Sequence, residues 1–299
     1  MKIGVISNID ITHLSMGQTN QEWEQNRINF SKRYKDSLPL LESIKFKELK
    51  FKKNKPLVSI IIPVYNYGKT LDTALTSVFD QTYQNLEIII IDDGSTDPFT
   101  KLKLDNLDIP NTKIIRQKNG GPSNARNEGV KICSGEYILP LDSDDIMLPT
   151  YVEECMNTIL RDKTISPVYC DTIHEGEMKG VEKRPEWSKE RLIQGPFIVN
   201  CSMFSKEAFD SIGGFDESLK GWEDYDFWLR MMQKGYIGKR IAKPLFVYFH
   251  HEKEGTVSTI ANQNMSELHK KILVKNKLIK DIPAYQPLKN NNSGFNIFT

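Results

Sequence analysis

From residue 57 onward, apolar runs alternate with segments of helical period. LVSIIIPVYN (57–66) is a nearly continuous β-branched run closed by Pro63 and Asn66, the pattern of a strand buried on both faces. Leu71, Ala74, Leu75, Val78 and Phe79 then recur at helical spacing. LEIIIIDDG supplies a second buried strand that stops at two aspartates and a glycine, which completes a βαβ unit. The alternation predicts a strand at Lys113 to Arg116, a helix from Pro122 to Ile132, a strand from Tyr137 to Leu141 and a helix from Pro149 to about Leu160. An α/β fold follows.

After Ser188 the spacing is less regular. It predicts an apolar stretch from Phe197 to Phe204, a turn at Gly213-Gly214, a helix from Glu223 to Gln233 and a strand from Pro244 to Phe249. The pattern divides the chain into an accessory segment or linker (1–56), one domain (57–258) and a tail (259–299). Within the domain, 57–145 forms a nucleotide-binding half and 146–258 an acceptor half. In the tail, Met265, Leu268, Ile272 and Ile279 predict a helix that either docks on the domain or lies on a membrane as a basic amphipath, and an Asn-rich disordered end follows. Residues 45–55, KFKELKFKKNK, hold six lysines and one glutamate and read as a solvated face or a lipid headgroup contact.

In α/β sheets, ligands bind beyond the carboxyl ends of the strands. Polar residues gather at four such ends: Tyr65 and Asn66, then Asp92 and Asp93, then Asn119 to Gly121, then Asp142, Asp144 and Asp145. Carboxylates as close as those of LDSDD repel unless a cation sits between them, which suits a divalent ion shared with a diphosphate. A helix-capping cluster is the alternative. Asp92 and Asp93 suit either a base N–H and ribose hydroxyls or plain turn chemistry. In NGGPSNARNEG the N–H groups around Gly121 can face an anion, with Arg126 adding charge, or simply form a tight turn into a helix. Asp224 shares a helix face with Phe227 and reads as a partly buried general base, whereas Glu223 and Asp226 are accounted for by the helix dipole. His250 or His251 can complete a metal site. Trp187 and Trp222 read as partly buried core residues or sugar platforms.

Taken in order, VSIIIPVYN, IIIIDDGSTD, GGPSNARNEG, GEYILPLDSDD, GGFDESLKGWEDYDFWLR and YFHHEKEGTVS resemble family 2 glycosyltransferases of the GT-A fold over about residues 57–258. The resemblance implies a Rossmann-like, mostly parallel central sheet flanked by helices. It also implies transfer of a sugar, with inversion, from a nucleotide diphosphate donor to an acceptor hydroxyl on a glycan, lipid-linked molecule or protein, in surface-glycan synthesis. By the same resemblance Pro63, Tyr65, Asp92, Asp93, Gly121, Arg126 and Ser143 line the nucleotide, a UDP-sugar being favoured. Asp142, Asp144 and His251 bind Mn²⁺ or Mg²⁺, although Phe249 stands where an arginine is common before that histidine. Asp224 becomes the base, and Glu223 positions the acceptor or its loop.

A haloacid-dehalogenase-like phosphatase also carries an acidic motif like LDSDDI, but on an early strand. A non-catalytic nucleotide- or carbohydrate-binding module is a further alternative. EF-hand loops fail on Ile146, Met147 and Pro98, and neither G-x-G-x-x-G nor G-x-x-x-x-G-K-[ST] occurs.

Composition narrows the partners. Forty Lys+Arg against 39 Asp+Glu give the 299-residue chain a net charge of +1, with no global field for nucleic acid. Apolar runs fall far short of the roughly 20 residues of a membrane span, and the N-terminus lacks a signal-peptide core. A cytoplasmic location with at most peripheral contact at the inner membrane face is expected. Cys133, Cys155, Cys170 and Cys201 form no C-x-x-C pair and read as buried thiols in a reducing compartment.

Overall fold

The computed structural model describes residues 55–250 and 265–279. The accessory segment 1–54 with most of its lysine run, His251, and the Asn-rich end lie outside the described residues.

Strands β1 (Val58–Val64), β2 (Leu86–Asp92), β3 (Thr112–Arg116) and β4 (Tyr137–Pro140) form a parallel sheet in the order β3-β2-β1-β4, and the short β8 (Phe204–Ser205) joins β4 antiparallel. The register sets Val58 against Leu86 on one side and Tyr137 on the other. β1 is buried on both faces for a visible reason. Ile60, Ile62 and Val64 pack with Leu71, Ala74, Leu75 and Val78 of helix α1 (Leu71–Phe79), whereas Ile61 faces a second cluster containing Ala125, Val130, Phe204, Phe227 and Trp228. Helix α3 (Pro122–Ile132) covers that second face, and Gly129 lets it approach: a Cβ there would lie 2.5 Å from Ile61 Cγ2.

Helix α2 (Pro98–Asp105), which the pattern does not predict, starts at the Asp97 cap, whose Oδ2 accepts from Thr100 N at 2.8 Å. After β5 (Ile146–Met147), helix α4 (Tyr151–Ile159) starts two residues later than expected. A second sheet has the order β5-β9-β6-β7. Its β6 (Ile165–Gly176) and β7 (Gly180–Glu182) are unforeseen, and β9 (Ile237–His250) extends well upstream of the expected Pro244 start. Pro244 sits where the β6–β9 register shifts at Asp171, an irregularity that tolerates a residue without an N–H. The stretch Phe197 to Phe204 contributes buried Phe197, Ile198, Cys201 and Met203; Phe204 pairs with β4, and Met203 bridges to Val168 of β6.

Helices α5 (Lys189–Gln194) and α6 (Lys206–Ile212) lead to α7 (Glu223–Gln233), and the tail helix α8 (Met265–Lys275) docks on the domain through buried Ile272 and Leu273. Cys155, Cys170 and Cys201 are buried free thiols. Cys133, expected to be buried too, is half-buried because it lies just past the end of α3.

Candidate active site

The carboxyl ends of β1, β2 and β4 lie side by side, because β1 separates β2 from β4 in the sheet. At the first end Pro63 is half-buried and Tyr65 is exposed. Asn66 adopts a left-handed backbone (φ 61°), and its Oδ1 accepts from Thr96 N at 2.7 Å and Asp97 N at 2.8 Å, which ties the loop after β2 to β1. At the second end Asp92 caps its own turn, accepting from Ser95 N at 2.9 Å.

Asp93 is more revealing. Its Oδ1 accepts from Gly120 N at 2.8 Å and Gln117 Nε2 at 2.7 Å, and its Oδ2 accepts from Gly121 N at 2.8 Å. The N–H groups of the Gly120-Gly121 turn thus face an anion as expected, but the anion is Asp93. Gly121 holds φ at 86°, a conformation only glycine adopts without strain, and Pro122 opens α3 behind it. With about four acceptor sites on a carboxylate, Asp93 keeps one for a further donor.

At the fourth end Ser143 and Asp145 are buried, and Asp142 and Asp144 are half-buried. Asp145 accepts from Phe249 N at 3.1 Å. Burial first, then the charges of Asp144 and Asp142, push its carboxyl well above the usual range. Tyr67 stands against this cluster: its phenol is raised by burial and then by Asp144, Asp142 and Asp145. Among the described residues no group of three or more His, Cys, Asp or Glu could hold a metal unaided. A cation carried by a diphosphate needs only one or two carboxylates.

Arg126 does not stand open at the helix start. It is buried between the two acidic clusters, with Nη2 on Asp142 Oδ1 at 2.8 Å, Nη1 on Glu223 Oε1 at 2.7 Å and its guanidinium 5.7 Å from the Phe215 ring centre. Glu223 opens α7 behind Trp222, whose left-handed φ of 54° turns the chain into the helix. The next residue, Asp224, is half-buried and accepts from Tyr225 N at 2.8 Å. Burial first, then the neighbouring Glu223 charge, lifts its carboxyl to about 7, against the pull of Arg126. Such a group is matched to proton abstraction near neutral pH.

Two acid assignments change. Glu223 serves the Arg126 bridge rather than the helix dipole alone. Asp226 is wholly buried, held by Arg230 Nε at 2.7 Å, Lys275 Nζ at 2.7 Å and Asn276 Nδ2 at 2.8 Å, so it fastens α8 to α7. His250 Nε2 lies 2.7 Å from His174 Nδ1, whose Nε2 meets Glu182 Oε2 at 2.8 Å, a chain along the second sheet.

Sequence reading missed Tyr67, Asn200 and Arg184. Asn200 Nδ2 reaches Asp142 Oδ1 at 3.4 Å from the irregular stretch before β8, and Arg184 lies near enough to Asp224 for that charge to act on it. Asn200 and Arg184 fall where no periodic element marks them. Tyr67, next to the strand-end pair Tyr65-Asn66, carried a positional signal.

A mostly parallel sheet with paired carboxylates at its strand ends is the arrangement of GT-A glycosyltransferases. The model for Glycosyl transferase family 2 matches residues 59–213, and that for the N-terminal domain of galactosyltransferase matches 197–254. The chain belongs to glycosyl transferase family 2, which displaces the phosphatase alternative. It is 32% identical to the chondroitin synthase of Escherichia coli over 80% of this chain and 36% of that one. It is 35% identical to the hyaluronan synthase of Pasteurella multocida over 60% of this chain and 19% of that one. An uncharacterized glycosyltransferase of Haemophilus influenzae is 32% identical over 68% of this chain and 71% of its own. The chain thus spans about a third or less of the synthases' length. The S. aureus TarS 1-349 complex with UDP-GlcNAc shares the fold, at TM-score 0.59 and 22% identity, over 73% of this chain and 66% of that one. Among the described residues no helix is long and apolar enough to cross a membrane.

Proposed function

We propose that the chain transfers a sugar from a UDP-sugar to a hydroxyl of a glycan acceptor, with inversion, and that Asp224 is the general base. The carrying observation is the pairing of a half-buried carboxyl raised to about 7 with an acidic strand end, joined through Asp142–Arg126–Glu223. In this reading Asp224 takes the acceptor proton as the oxygen attacks the anomeric carbon from the face opposite the diphosphate, so no covalent intermediate forms. Glu223, held by Arg126, fixes the first turn of α7 and with it the base. The remaining acceptor site on Asp93 takes a base N–H, and Pro63, Tyr65 and Ser143 border the nucleotide. A UDP-sugar is favoured because the solved relative named above holds UDP-GlcNAc. A role in polysaccharide synthesis is favoured by the names of the chondroitin and hyaluronan synthases.

The donors at the β4 end fit Mn²⁺ or Mg²⁺. Asp142 and Asp144 offer hard oxygens, and the amide Oδ1 of Asn200, whose Nδ2 contacts Asp142, is buried without a partner. When bound, such a cation offsets charge on the leaving diphosphate. His251, the third expected ligand, lies outside the described residues.

The test is transfer from UDP-GlcNAc and related UDP-sugars to chondroitin and hyaluronan oligosaccharides. Asp224→Asn is expected to lower turnover by about 10²- to 10⁴-fold while UDP still binds. Normal turnover in that variant removes Asp224 from the role.

A further inference from the structure

A hollow of about 540 Å³ opens beside the loop between β7 and α5, lined by Lys183, Glu186, Trp187, Glu190, Arg191 and Gln194. None of the strand-end aspartates borders it, so it is not the donor pocket. Its floor is built with care. Trp187 is half-buried, and its indole lies on the backbone of β9 at Gly238, where a Cβ would overlap ring atom Cε3. Glycine is therefore required there for the ring to pack this close to the strand. The rim is pinned: Glu186 accepts from Arg240 Nη1 at 2.9 Å, and Ser188 caps α5 by accepting from Arg191 N at 3.2 Å.

The hollow is also tied to the base. Tyr225, the residue after Asp224, donates its hydroxyl to Ile193 O on α5 at 3.2 Å. On the other side, Arg184 lies within the reach of Asp224's charge. The chemistry of the lining selects a ligand. An indole presents an apolar face to the C–H groups of a pyranose, while carboxylates and an amide at its edge suit the ring hydroxyls. Two cations opposite two anions leave no net positive field for a diphosphate.

We propose that this hollow is a subsite for the acceptor glycan, in which a sugar ring of the chain stacks on Trp187 while a more distal hydroxyl faces Asp224. The inference rests on the transferase reading above and deepens it. Calorimetric titration of a chondroitin hexasaccharide and of an uncharged N-acetylglucosamine hexasaccharide into the full chain tests it, with UDP titrated into the same samples. At least one oligosaccharide should bind. Trp187→Ala should weaken it about tenfold or more, and Trp187→Phe, which keeps a ring, by no more than about threefold. Glu190→Ala, at an exposed position, should weaken it by about threefold with the melting temperature close to the parent's. Binding of neither oligosaccharide, or affinity indifferent to both Trp187→Ala and Glu190→Ala, overturns the subsite. Oligosaccharide binding through Trp187 without UDP binding upholds the subsite and overturns the donor reading instead.

Discussion

Asp224 faces Glu223 in its own turn, Arg126 from α3, Asp142 from the end of β4 and Arg184 from beyond β7, and burial first, then the Glu223 charge, raises its carboxyl to about 7. As a base it works only when ionised. The rate should therefore fall on the acid side of about pH 7, and a pH profile of kcat/KM for Asp224→Asn should lack that limb. The same shift has a stability consequence of definite sign. The folded state holds a proton that the unfolded chain releases near its ordinary value of about 4, so stability is lost as pH rises from there toward 7. Thermal melts should find Asp224→Asn more stable than the parent at pH 8, with the gap narrowing toward pH 5. An equal gap at both values contradicts the shift. Arg126 carries the other residue-scale claim. Arg126→Met leaves Glu223 without its buried partner and should cost about 3–5 kcal/mol by denaturant unfolding.

At the scale of elements, the tail helix is fastened to the base helix by one buried carboxylate. Asp226→Ala strips Arg230, Lys275 and Asn276 of a shared acceptor and should cost about 3–5 kcal/mol in denaturant melts; a loss under about 1 kcal/mol would sink the clamp. Gly129→Ala should also destabilise, by about 1–3 kcal/mol, because the added methyl meets a buried Ile61 in a central strand. Legibility differed among elements for physical reasons. β1 and β2 could be read from their continuous apolar runs, α3 from the Gly-Gly-Pro start and α7 from apolar residues on one face. Helix α2 could not, because its pattern is inverted: Phe99 and Leu102 are 47% and 63% exposed, while Lys103 is buried against Asp72 of α1. β6 and β9 depend on pairing with one another, across a register shift that no local period announces. Likewise, acids at strand ends could be read from position alone, but their partners could not. That Asp93 caps Gly120-Gly121, or that Arg126 spans Asp142 and Glu223, arises only when distant loops meet.

For the whole molecule, the parallel sheet and helix α7 build one site together. The parallel sheet brings Asp93, Asp142 and Asp144 to its carboxyl edge, and α7 carries Asp224 to the same edge, with Arg126 joining the two sides. This domain corresponds to about a third of the E. coli chondroitin synthase, so its activity is a question for the domain itself. A UDP-sugar site with a cation at Asp142 and Asp144 is probed by calorimetric titration of UDP with and without Mn²⁺, on the parent and on Asp144→Ala. UDP should bind only with Mn²⁺ present, and at least about tenfold more weakly in Asp144→Ala. UDP binding that ignores both Mn²⁺ and Asp144, or no UDP binding with Mn²⁺ present, would contradict that site.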